Sequence, residues 1–154
     1  MDNMVDTPGE IVRMFMSALE TSEWENASQY MADHFLMSGW TPRALNKNDF
    51  LAIIKGLKEG IPGLIFNLHN VQEDDGVVNG TIKMTGYQSD SFILPPLGLP
   101  PIPQMAASIN MPTEDVTYTL EQQQITTMAV HAGPDGGIRG LLRQLGVEMP
   151  PIVQ

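Results

Sequence analysis

The sequence predicts an α+β domain, a curved sheet with helices packed on one face. Three observations predict it. Segments with an apolar stripe at helical spacing dominate residues 8–61. From Leu64 the period changes to two, with many β-branched residues. A short amphipathic segment then follows the turn-rich "GPDGG". Helices first and strands second is the order of a two-layer α+β fold, and 154 residues suffice for one domain, taken as 1–154.

The first helix is predicted over 8–21. Thr7, Pro8 and Glu10 form a capping box with proline at the first helical position, and Ile11, Phe15 and Leu19 share one face. A second helix is predicted over 23–33, with Trp24, Ala27 and Tyr30 together. "HFLMSGWTP" follows as a short strand ended by Pro42. The third helix begins behind Asn46 or Asn48, buries Phe50, Ile53, Ile54 and Leu57, and stops at Gly60-Ile61-Pro62.

Four alternating segments come next: "LIFNLHNVQ", "VVNGTIKMTGYQSDSF", "DVTYTLEQ" and "QITTMAVHA". "EDDG" at 73–76 is a hairpin turn, with Asn79-Gly80 a rival. The final helix holds Ile138, Leu141, Leu142 and Leu145, with Gly146 at its C-terminus and the prolines beyond closing it.

Composition excludes several functions. Net charge is −10, from 18 acidic and 8 basic side chains, which repels phosphate backbones and anionic membrane. There is no cysteine, so thiolate chemistry is impossible. "MDNMVDTPGEIV" has no apolar run and is not a signal peptide, so a cytoplasmic location is expected. The three histidines lie 35 and 62 residues apart with no ligand-pair spacing, so no metal site is expected. No glycine-rich phosphate loop is present.

The α-α-β-α-βββ order and the closing "GPDGGIRGLLRQLGV" resemble the nuclear-transport-factor-2-like superfamily, and within it the SnoaL-like polyketide cyclase group. The resemblance rests on Asp135, Leu141-Leu142 and Gln144-Leu145-Gly146, on the opening helix, and on "PPLG" at 95–98. It implies a cone-shaped sheet wrapped around the N-terminal helices, an apolar cavity, and a homodimer through the outer sheet face. It also implies acid–base chemistry on a hydrophobic small molecule without a cofactor, as cyclase, isomerase or hydrolase. The group's usual acid near the end of the last strand falls here on Val130. That favours the alternative, a non-catalytic ligand-binding or dimeric structural protein of the same fold.

Candidate catalytic residues are therefore sought elsewhere. Asp33 and His34, at the end of the second helix, could form a carboxylate–imidazole pair at the cavity mouth; the plain reading is a solvated helix end. His131 has a suitable unperturbed pKa of about 6.5, or is a solvated strand-end residue. His69 is expected on the outer face.

Tyr30, Trp40 and Tyr118 are candidate pocket rings, or core residues whose polar tips find partners. Met128 is one of 11 methionines suited to an adaptable pocket. Tyr87 and Gln88 stand where the group often has threonine and histidine; Gln88 can hydrogen-bond a ligand but not transfer its proton.

One stretch stands apart. "FILPPLGLPPIPQM", residues 92–105, holds five of the twelve prolines. No arginine or lysine lies between Lys83 and Arg139 to serve a polyproline-binding partner. Its apolar residues predict a stiff lid or a subunit contact, packed on the protein's own body or on its twin.

Overall fold

The computed structural model describes residues 6–148. Pro150 and Pro151, read as closing the last helix, lie outside them.

Helix α1 spans Pro8–Glu20 and starts as the sequence predicts: Thr7 and Glu10 cap one another. Its buried face carries Ile11, Val12, Phe15, Met16 and Leu19. Helix α2 is shorter than expected, Trp24–Gln29. Strand β1 already begins at Met31 and runs to Ser38. Met31, Ala32 and Leu36 are good helix formers in isolation, but here the segment pairs in parallel with the last strand, and that pairing prevails. A two-residue strand β2, Leu45–Asn46, leads into helix α3, Lys47–Gly60, whose Asn46 side chain accepts from the Asp49 amide at 2.8 Å.

Strands β3 (His69–Asp74) and β4 (Val77–Ile82) form a hairpin. Asp75 and Gly76 both have positive φ, 54° and 82°, as a two-residue type I′ turn requires. Asn79-Gly80 is not a turn. Gly80 sits inside β4, close to Leu68 and the His69 carbonyl, where the β3 register shifts. Short strands β5 (Thr85–Tyr87) and β6 (Ser108–Asn110) pair with each other. Strands β7 (Glu114–Glu121) and β8 (Gln124–His131) form the second long hairpin, and helix α4, Gly137–Gln144, follows. Gly146 and Val147 amides donate to Arg143 and Leu142 carbonyls, a Schellman closure with Gly146 at φ 76°.

The main sheet is mixed, in the order β2-β1-β8-β7-β4-β3, with β1 and β8 parallel and the other pairs antiparallel. Met37, Val78, Ile82, Val116, Tyr118, Met128 and Val130 are buried in a core shared with the apolar faces of α1, α3 and α4. Phe15, Phe35 and Trp40 all lie near Phe50, with ring centroids 5.3–6.2 Å away, and Phe66 flanks Trp40 at 6.4 Å.

The proline stretch is a strap docked on α3. Phe92, Leu94 and Ile102 are buried, Phe92 and Ile102 exchange backbone hydrogen bonds, and Pro95–Leu97 makes one 3-10 turn. The prolines themselves are exposed or half-buried. Gly56 and Gly60 make the docking possible: a β-carbon at Gly56 would fall on the Ile93 carbonyl, and one at Gly60 on the Phe92 ring. Alanine at an exposed helix position normally stabilises; here Gly56→Ala or Gly60→Ala is expected to cost about 1–3 kcal/mol through overpacking. Urea unfolding measures the loss, and limited proteolysis should then cut within residues 93–105. Unchanged stability and protease resistance in both variants would contradict this docking.

Candidate functional site

The described interior buries one carboxylate. Glu114 opens β7 and is 3% exposed, on the same face as Val116, Tyr118 and Leu120. Its Oε2 accepts the Gly137 amide at 2.9 Å. That amide lies at the start of α4, where the helix dipole favours negative charge. Gly136 allows this approach, since a β-carbon there would collide with Oε2.

Trp40 reaches the same corner. Gly39, with φ 100°, turns the chain after β1 so tightly that a β-carbon would strike the Val130 carbonyl. The Trp40 carbonyl accepts the Ile138 amide at 3.1 Å, which ties the turn to α4. The indole Nε1 is buried with no hydrogen-bond partner at ordinary geometry, yet it lies near enough to the Glu114 carboxylate to favour its ionised form. Burial outweighs both this and the Gly137 bond, so the Glu114 pKa is raised above the usual carboxylate value.

Tyr118 is the second unpartnered group. It is fully buried, its hydroxyl has no hydrogen-bond partner, and burial pushes its pKa far up, so the phenol stays a neutral donor. At the usual strand rise its Cα lies about 13 Å from that of Glu114, so the two mark separate points along one strand. Its Cα is paired across the sheet with Met128, which is fully buried. A buried donor without an acceptor costs about 1–3 kcal/mol.

Three of the expected ligand-binding residues, Trp40, Tyr118 and Met128, thus share the interior. The other candidates lie elsewhere. Asp33 and His34 are on β1, both exposed; the Asp33 side chain is in full contact with solvent, 3.9 Å from Lys47 Nζ. The early start of β1 moves them from a cavity mouth to the strand surface. His131 is exposed at the end of β8 opposite Asp115, in a polar groove on the sheet's outer face with Asn79 and Thr117. His69 is exposed, and its Nδ1 lies 2.7 Å from the Asn67 carbonyl. Tyr30 is half-buried against α1, its hydroxyl 3.7 Å from Met14 Sδ.

Gln88 is fully buried but already engaged. Its Nε2 donates to the Asp90 and Pro103 carbonyls at 3.1 and 2.8 Å, and its Oε1 accepts the Met105 amide at 2.8 Å. It clamps the strap and leaves nothing for a ligand. Lys58 is likewise committed: its Nζ donates to the Pro62 and Leu64 carbonyls beyond α3.

Glu114 was outside the expected set. The alternation of Val116, Tyr118 and Leu120, counted back by two, lands on it; a strand begun at Asp115 leaves it out.

A raised carboxylate pKa has a defined linkage sign. The native state holds the Glu114 proton more tightly than the unfolded chain, so this stabilisation is full below the unfolded pKa. It is lost as pH rises through the higher native value. Glu114→Gln keeps an acceptor for the Gly137 amide and removes the desolvated charge. Its melting temperature is expected to rise relative to wild type between pH 4 and pH 7, each unit of raised pKa being worth about 1.4 kcal/mol. A pH-independent loss would contradict the assignment.

No family model matches the sequence, and no curated protein matches it significantly. Solved structures do match. IdmH of Streptomyces antibioticus, a candidate polyketide cyclase, superposes at TM-score 0.68 with 14% identity, over 92% of this chain and all of that one. A candidate SnoaL-like polyketide cyclase from Jannaschia sp. CCS1 gives 0.65 with 19% identity, over 84% and 89% of the two chains. A LEH-like epoxide hydrolase of M. tuberculosis gives 0.65 with 11% identity, over 90% and 92%. With the mixed sheet and helices described above, these likenesses establish that the chain adopts the nuclear-transport-factor-2-like fold.

Proposed function

We propose that this chain is a cofactor-independent acid–base enzyme acting on a hydrophobic, carbonyl-bearing small molecule, with Glu114 as its proton-transfer group. The carrying observation is the buried carboxylate beside an unpartnered indole N–H. Val130, where the resembled group places its acid, is paired with Val116 on β7, and Glu114 is the next inward-facing residue along that strand. The carboxylate therefore stands at the same end of the sheet, supplied by the neighbouring strand.

The chemistry follows from the groups present. A carboxylate with a raised pKa takes a proton from carbon beside a carbonyl and returns it at another atom, so no co-reactant is consumed. Trp40 Nε1 is a donor suited to the carbonyl oxygen, which gains charge as the proton leaves. Tyr118, held neutral, is a second donor deeper along β7. Trp40, Met128 and the phenylalanines around Trp40 are the apolar side chains that such a ligand would meet in this interior. Candidate cyclases and an epoxide hydrolase among similar structures support a small-molecule reading of the fold without fixing the reaction.

A second reading, ligand binding without turnover, is favoured by one observation: the Gly137 amide already engages Oε2 of Glu114 and gives the carboxylate a structural task. One experiment separates the two. With 2-acetylnaphthalene as probe, binding is followed by Trp40 fluorescence in a Trp24→Phe background, and exchange of the methyl-ketone protons in D2O by NMR. Wild-type protein is expected to bind and to accelerate exchange. Glu114→Gln should keep binding and lose exchange by about 10²–10⁴-fold. Binding without exchange in wild type would support the second reading, and no binding would contradict both.

A further inference from the structure

We propose, resting on the interior site argued above, that the Tyr118 hydroxyl is a specificity determinant. It selects ligands that carry a second, uncharged oxygen acceptor at the end remote from Glu114. No described protein group accepts this hydroxyl's proton. Across the sheet Tyr118 is paired with Val78 and Met128, and Val116 and Leu120 precede and follow it by two on the same face. All four are buried and none has an oxygen in its side chain. The other buried polar side chains are engaged: Gln88 with the strap, Lys58 with carbonyls beyond α3, Glu114 with the Gly137 amide, and Thr126 with the Thr119 carbonyl at 3.0 Å. Among the buried side-chain nitrogens and oxygens of the described residues, only the Tyr118 hydroxyl and Trp40 Nε1 lack a partner. A trapped water needs two or more polar partners, and these four side chains add none to the hydroxyl itself. Phenylalanine would fill the position without an unpaired donor.

The chemistry of the group fixes what it takes. Burial pushes the phenol pKa far up, so the group stays neutral and offers its proton to an acceptor. Apolar walls make a charged acceptor costly, which leaves an uncharged oxygen such as a ketone or quinone carbonyl. Glu114 and Trp40 mark the place of the first carbonyl, four residues earlier on β7. The two donor positions are thus separated by on the order of 10 Å. Two fused six-membered rings with an acyl group at each end match that span. A molecule with one oxygen leaves Tyr118 unpaired, and a rigid diketone satisfies both ends.

Fluorescence titration of Trp40 in the Trp24→Phe background tests this with two ketones of like shape. One is 2,6-diacetylnaphthalene, and the other has isopropyl in place of one acetyl group. The full chain is expected to bind the diketone about tenfold more tightly. Tyr118→Phe should bring the two affinities together. Its melting temperature without ligand should equal or exceed that of the parent, since no hydrogen bond is lost. Three results would each overturn the proposal: a preference in the parent no larger than the roughly twofold that the diketone's symmetry supplies, a preference that survives Tyr118→Phe, or a variant that melts lower. Failure of both ketones and of 2-acetylnaphthalene to bind would contradict the interior site itself and this proposal with it.

Discussion

The hydrogen bond from the Gly137 amide to the buried Glu114 carboxylate closes one end of the molecule. It fixes α4 against β7, and through the Trp40 carbonyl and Ile138 amide it also fixes the turn after β1. Three distant parts of the chain therefore converge on one carboxylate. Removing a charge from water is costly, and one amide and one nearby indole do not fully repay it, which is why the Glu114 pKa is raised. A purely structural clamp would serve as well with an amide side chain. The retained charge, close to a donor with no partner, is what gives the corner chemical meaning.

Glycines set the geometry around this corner and around the strap. Gly39 and Gly136 let backbone and carboxylate approach where a methyl group would collide. Gly56 and Gly60 do the same for the strap on α3. The strap closes over a helix that also delivers Phe50 to the aromatic group around Trp40. Docking of the strap and packing of the interior are thus mechanically linked through α3.

Much of the fold was legible because local signals agree with it. The Thr7–Glu10 box, the Asn46 cap, the Asp75-Gly76 turn and the Gly146 closure are all short-range chemistry. The misjudged boundary is the start of β1: residues 31–33 read as the end of a helix, and pairing with β8, some ninety residues away, draws them into the strand. That error carried Asp33 and His34 to an expected site they do not occupy. Gln88 was legible as a polar residue on an inward strand, but its three bonds belong to a loop whose path no spacing reveals. Glu114 hid between a proline–threonine pair and an aspartate, in a polar stretch where acidic residues are ordinarily solvated. The absence of an acid at Val130 was legible; finding buried Glu114 on the adjacent strand required the register.

The most direct measurement is an NMR titration that follows the Glu114 side-chain carboxyl carbon and the Trp40 indole N–H proton together. The Glu114 carboxylate is expected to titrate above the usual carboxylate range, with the Trp40 indole signal moving at the same midpoint, since indole and carboxylate share one buried corner. An ordinary carboxylate midpoint, or a Trp40 signal that ignores it, would contradict the account.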